Sequence, residues 1–140
     1  PGSITRLLDM GVEPFLVSSS VEGVLAQRLV RRLCPHCKSP VEAKSVDLPK
    51  DFKPGRGDTY FQPGSCKACL HRGYMGRISV YEILRMSDHT REMVMARKSA
   101  PQIAAEAAKE GNLYTLRHDA FEKVRQGVTT IEEASRAIAT

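Results

Sequence analysis

The chain has 140 residues, a length that suits one domain or two small ones. Apolar residues make up 41% and aromatics only 6%, with no Trp, so a modest core should lean on Leu, Val, Ile and Ala. The formal charge is +5, and four thiolates around one Zn²⁺ would lower it by two, to +3. So mild an excess suits acidic surfaces or phosphates and does not demand nucleic acid. No apolar run approaches the ~18 residues of a membrane span. Pro1 to Met10 also lacks the apolar stretch of a secretory signal. A cytosolic, reducing setting is therefore expected, in which paired cysteines read as metal ligands. The chain opens without Met and enters a helical pattern at once, as a piece of a longer protein would.

In chain order, residues 3–10 place Ile4, Leu7 and Leu8 on one helical face, with Gly11 in the C-cap position. Val12 to Val17 reads as a short buried strand built on Phe15, Leu16 and Val17. Ser19 and Glu22 have capping-box spacing, which predicts a helix from near Ser20 to Gln27. Arg28 to Leu33 reads as a strand leading into Cys34. Residues 38–65 carry Pro40, Pro49, Pro54, Gly55, Gly57, Pro63 and Gly64, and form a long breaker-rich loop that needs an anchor. Gly73 and Gly76 flank a turn, and Arg77 to Leu84 reads as a strand.

The last third is helical. Ser87 can cap a helix carrying Met93, Val94 and Met95, which with Met86 should serve packing. Pro101 suits position N1 of a second helix, which Gly111 and Asn112 stop. A third runs from Leu116 to Gln126 and ends at Gly127. Thr130 and Glu133 form a capping box for the last. His89 and His118 are expected to face solvent.

Cys34-Pro-His-Cys37 and Cys66-Lys-Ala-Cys69 are two C-x-x-C knuckles, separated by 28 residues. Two residues between ligands let a tight turn aim both sulfurs at one ion. Two knuckles complete a tetrahedral S₄ shell, which Zn²⁺ accepts because it has no d-electron preference for another geometry. The spacing is longer than in common zinc ribbons, but loop-closure cost grows slowly with length. An iron–sulfur cluster or disulfides remain the alternatives. A closed shell of four sulfurs has no open position for water, so the site is structural rather than catalytic. His36 and His71 sit in or beside the knuckles as exposed residues. Arg28, Arg31, Arg32, Arg72 and Arg77 surround them in sequence. A solvated basic surface is favoured there over a phosphate or acidic-partner contact. No nucleophile elbow, carboxylate pair or Gly-rich phosphate motif is present, and Gly55-Arg-Gly-Asp is not a P-loop.

The run Ile4-Thr-Arg-Leu-Leu-Asp-Met-Gly-Val-Glu-Pro-Phe-Leu-Val, followed by Val24-Leu-Ala-Gln-Arg-Leu-Val-Arg-Arg-Leu-Cys-Pro-His-Cys, resembles the traffic ATPases of type II secretion and type IV pilus assembly. Gly73-Tyr-Met-Gly-Arg77, Tyr81-Glu-Ile-Leu84, Thr115-Leu-Arg-His-Asp119 and Lys123 to Glu133 are similar to the family's later segments. Ile78-Ser-Val80 and Ala120-Phe121 depart from it and bear on the subgroup. The resemblance implies an α/β fold: the C-terminal part of a RecA-like ATPase domain with a tetracysteine zinc-binding insertion and a small C-terminal helical bundle. Residues 1–33 would end the ATPase domain, 34–76 form the zinc lobe, and 77–140 supply a strand and the bundle. Cys34, Cys37, Cys66 and Cys69 match the family's tetracysteine motif. The resemblance further implies a cytoplasmic hexamer, peripheral at the inner membrane, that uses ATP and Mg²⁺ bound elsewhere in the full-length protein. It would drive pseudopilus assembly and protein export through inner-membrane platform proteins, without nucleic acid. The competing expectation is a stand-alone zinc-ribbon module.

Overall fold

The computed structural model describes residues 1–42, 47–50, 52–55 and 57–139. Arg56 of the Gly55-Arg-Gly-Asp run lies outside them. The elements are α1 (Gly2–Asp9), α2 (Pro14–Ser20), β1 (Gly23–Leu33), β2 (Ser39–Val41), β3 (Tyr60–Gln62), a 3₁₀ turn (Lys67–Cys69), β4 (Tyr74–Arg85), α3 (Asp88–Met95), α4 (Ala100–Lys109), β5 (Leu113–Tyr114), α5 (Leu116–Arg125) and α6 (Ile131–Ile138). One sheet has the order β1-β4-β5, and β2 pairs with β3 in a second. The chain divides into two compact units, one of Pro1–Ala26 with Tyr81–Thr115, the other of Gln27–Val80 with Leu116–Thr140. Strands β1 and β4 run from one unit into the other.

The first unit packs α1, α2, α3 and α4 around Ile4, Leu8, Val17, Leu84, Met93, Val94, Ile103 and Ala107. The strand expected at Val12–Val17 is instead the helix α2. Glu13 is extended and Pro14 occupies the first helical turn, where its fixed φ is already helical and its missing N–H is no loss. Only Val17 and Ser18 of this helix are buried, while Phe15 and Leu16 are exposed. A three-residue apolar run does not distinguish strand from helix by periodicity. The helix expected from Ser20 to Gln27 is likewise absent. Ser19 lies in the last turn of α2, where its hydroxyl donates back to the Phe15 carbonyl at 2.8 Å, and β1 begins at Gly23. A Cβ on Gly23 would stand 3.0 Å from the Leu84 carbonyl oxygen, so β4 approaches closely there. The Arg91 guanidinium ties α3 to α2 by donating to the Ser18 carbonyl and, at 3.0 Å, to Glu22. Ser87 caps α3 as expected, accepting from the Thr90 N–H at 3.1 Å. Met93 is buried, but Met95 is about half exposed and does not serve the core.

The second unit has a core of Val30, Phe52, Tyr60, Val80, Ala120, Phe121, Val124, Ile131, Ala134 and Ala137. Val, Ile and Ala make up most of it, as expected, and three aromatics join them. The Phe52 ring meets Phe121 at 4.8 Å and Tyr60 at 5.7 Å, both edge-on. Phe52 and Tyr60 come from the breaker-rich loop, which therefore inserts side chains into the core. The ladder Ser39↔Gln62, Pro40↔Phe61, Val41↔Tyr60 holds it at a second level. Of the four helices in the last third of the sequence, α3 and α4 thus join the first core and α5 and α6 the second.

Helix α6 begins as expected, with Thr130 accepting from the Glu133 N–H at 3.3 Å. The Glu133 carboxylate does not close the capping box. It is buried and accepts from the Arg31 guanidinium at 2.7 Å, the Arg31 N–H at 3.0 Å and Arg136 at 2.9 Å. Burial alone would raise its pKa, but the hydrogen bonds from Arg31 and Arg136 bring it down to about 2. The folded value lies below the unfolded ~4.3, so this carboxylate stabilises the fold above pH ~4–5, and the contribution fades as pH falls towards 2. Glu133→Gln should destabilise the chain by about 2–3 kcal/mol at pH 7 in urea titrations. The gap to wild type should close between pH ~5 and ~2, and a pH-independent gap would contradict this account. Phe121→Ala should cost about 3–5 kcal/mol by the same measurement, since it opens a cavity between Phe52 and α6.

Candidate metal centre

The first knuckle follows directly from β1. Cys34 is buried, its N–H donates to the Gly73 carbonyl at 2.9 Å, and its own carbonyl accepts from Lys38 N–H at 3.0 Å and Cys37 N–H at 3.4 Å. That reverse turn swings Cys37 Sγ back beside Cys34. The second knuckle is the 3₁₀ turn, with His71 N–H bonded to the Cys66 carbonyl at 2.9 Å and Arg72 N–H to the Cys69 carbonyl at 3.1 Å. Leu70 and His71 both adopt left-handed φ, 52° and 61°, to make this return. The N–H of Gly73 donates to Cys69 Sγ at 3.2 Å.

All four sulfurs lie within 4.8 Å of one another, and among the described residues they are the one cluster of three or more metal-ligating side chains. Cys34 to Cys66 is 3.8 Å, Cys37 to Cys69 3.8 Å and Cys66 to Cys69 3.7 Å. None is in a disulfide. A tetrahedral shell with Zn–S bonds of ~2.3 Å has sulfur–sulfur edges of ~3.8 Å, so the donor set fits Zn²⁺ in both chemistry and spacing. The knuckles converge as the sequence predicted, and His36 and His71 are exposed. His71 Nδ1 is hydrogen-bonded to Ser65 Oγ at 2.8 Å. Desolvation pushes the Cys37 thiol up to about 12, helped by hydrogen bonds from its three neighbours. Desolvation also acts to raise Cys69, but backbone hydrogen bonds at Cys66 and Gly73 bring it down to about 6.

Two glycines proved as necessary to the geometry as the ligands. A Cβ on Gly64 would lie 2.0 Å from the Cys37 carbonyl oxygen. On Gly73, with φ +73°, it would lie 2.5 Å from Pro63 Cβ and 2.7 Å from the Gly64 carbonyl oxygen. Their positions beside the cysteine pairs were visible in the sequence, but only as turn punctuation. What they supply is close backbone approach between the knuckles.

The fold and this site define a mixed helix-and-sheet protein whose second unit is organised around four converging thiols. The sequence model of the family described as Type II/IV secretion system protein matches residues 1–136. The chain is 43% identical to the type II secretion system ATPase E of Vibrio cholerae over 136 residues, 96% of this chain and 27% of that protein. It is 43% identical to the type IV pilus assembly ATPase PilB of Myxococcus xanthus over 139 residues, 95% of this chain and 24% of that one. With the type IV pilus assembly ATPase TfpB of Acinetobacter baylyi it shares 38% over 141 residues, 99% of this chain and 24% of the relative. The chain belongs to the type II/IV secretion system protein family. It spans about a quarter of the length of these relatives.

Gly64→Ala should disrupt the centre as effectively as removing a ligand. Cobalt titration of the reduced chain should give the strong sulfur-to-metal absorption of a tetrathiolate site in wild type and lose most of it in Gly64→Ala. An unchanged spectrum would mean that the knuckles tolerate separation.

Proposed function

We propose that Cys34, Cys37, Cys66 and Cys69 hold a structural Zn²⁺, and that the chain is the C-terminal region of a secretion-system ATPase. The observation that carries the metal reading is the sulfur spacing of 3.7 and 3.8 Å. Four thiolates close the coordination shell, so the ion organises the lobe and leaves no position for substrate or activated water. Ion binding of this kind contributes on the order of 10 kcal/mol to ordering a small segment. Plasma emission analysis of the purified chain should find one zinc per chain, and none in Cys34→Ser. Chelation should accelerate hydrogen exchange across residues 34–76 and leave α1 to α4 protected; uniform exchange before and after chelation would sink the structural role.

The family match carries the wider reading. Residues 1–33 close a RecA-like ATPase domain, and the full-length protein is a hexameric ATP hydrolase that powers pseudopilus assembly and protein export. It works in the cytoplasm, against inner-membrane platform proteins, with Mg²⁺ and ATP bound outside the present residues. Among the described residues no helix is long and apolar enough to cross a membrane, which suits peripheral attachment. The zinc lobe, rigid and rimmed by arginines, serves docking of subunits or platform proteins rather than chemistry. Pilus assembly is the second reading, because the Myxococcus xanthus pilus relative is as similar as the Vibrio cholerae secretion relative, 43% in each case. The match over residues 1–136, far beyond the cysteine lobe, disfavours a free-standing zinc ribbon.

The 140-residue chain should show no ATP turnover in a coupled phosphate-release assay, whereas a chain that also carries a Walker A segment should hydrolyse ATP. Loss of the gene should leave normally exported enzymes inside the cell. Loss of surface pili with export intact would select the pilus reading instead.

A further inference from the structure

We infer that the second unit carries a binding site for a phosphate-bearing anion, in the cleft lined by Leu29, Arg31, Arg77 and Arg136. The cleft has a volume of about 590 Å³, within the range of small-ligand sites. A smaller cleft of about 250 Å³, lined by Arg31, Arg72, Tyr74, Gly76 and Arg77, adjoins it through the shared Arg31 and Arg77. Four arginines, from β1, β4, α6 and the turn after Cys69, thus line two neighbouring clefts, and among the described residues no carboxylate lines either.

The charge balance points to a polyanion. Glu133 is the carboxylate paired with both Arg31 and Arg136, at 2.7 and 2.9 Å, from its buried position behind the cleft. Arg72 and Arg77 are exposed, and among the described residues neither has a carboxylate partner. Glu133 thus does two things. It offsets positive charge on Arg31 and Arg136, and it fixes the direction of both guanidiniums before any ligand arrives. Arg31 is held further by stacking on the Tyr74 ring, 4.1 Å from its centroid. Preorientation lowers the ordering cost that flexible arginines otherwise carry on binding. Glu133 offers two coplanar oxygens, which take one bond from the Arg31 guanidinium, one from the Arg31 N–H and one from Arg136. Tetrahedral phosphate oxygens bearing two or more charges accept from donors on several sides, which is what arginines from four chain segments offer.

The test is calorimetric titration of the zinc-loaded 140-residue chain with inorganic pyrophosphate at low salt, beside Arg72→Gln and Arg77→Gln. Among the described residues these exposed side chains make no hydrogen bond or ion pair, so zinc content and thermal midpoint should stay at wild-type values. Saturable binding of one pyrophosphate per chain is expected, weakened about tenfold by each substitution and progressively by added salt. Citrate, a carboxylate of similar charge, should bind at least about tenfold more weakly. Saturable binding to phosphatidylglycerol vesicles but not to pyrophosphate, lost on the same substitutions, would keep the phosphate chemistry and assign it to a headgroup. No saturation by either probe, binding indifferent to both substitutions, or citrate binding as tight as pyrophosphate would overturn the site. Failure of the zinc reading would appear separately, in the metal content.

Discussion

The convergence of four sulfurs is the constraint on which the second unit depends. Residues 38–65 contain four prolines and three glycines, too many breakers for a self-supporting element, yet the segment carries Phe52 and Tyr60 into the core. Those rings reach their places only if both ends of the segment are brought together. The knuckles do this twice over. Their thiols gather within 4.8 Å, and their backbones interlock through Cys34 N–H to the Gly73 carbonyl and Gly73 N–H to Cys69 Sγ. Four thiolates at this separation would repel one another, and with no ion between them desolvation pushes the Cys37 thiol up to about 12, so the cluster suits a divalent cation that takes the place of those protons.

A second tie acts on the same core. The buried Glu133 carboxylate links α6 to β1 through the side chain and backbone N–H of Arg31, while Thr129 donates from its hydroxyl to the Arg31 carbonyl at 2.8 Å. The register of α6 against the strand is therefore set by polar groups with fixed partners, and the apolar residues Ile131, Ala134 and Ala137 follow it into the core. The same carboxylate sets the direction of Arg31 and Arg136 at the surface. One buried charge thus serves both packing and the character of the basic face.

The two cores are chemically different. The first is aliphatic, with Ile4, Leu8, Val17, Leu84, Val94 and Ile103, and needs no ion. The second combines an aromatic cluster with the cysteine lobe. Strand β4 contributes Leu84 to one and Val80 to the other, so a single chain segment takes part in both.

Much of this was legible beforehand, because the signals were local. The C-x-x-C spacing is a property of tight turns, and the turns at Cys34–Cys37 and Cys66–Cys69 formed as spacing alone required. Ser87, Pro101, Gly111, Gly127 and Thr130 marked helix ends correctly, since capping involves atoms only a few residues apart. Where the sequence misled, the deciding residue was either an immediate neighbour passed over or a group far away in the chain. Phe15-Leu16-Val17 is apolar enough for a strand, but Pro14 opened a helix. Ser19 and Glu22 have the right separation for a cap, but β1 claimed the following residues as the neighbour of β4. Tertiary structure alone decided that Glu133 would turn from its own helix to Arg31, that Gly64 and Gly73 would be close-approach points, and which core each late helix would join. Those outcomes depend on groups up to 102 residues apart meeting at hydrogen-bond distance, and no periodicity along the chain encodes such a meeting.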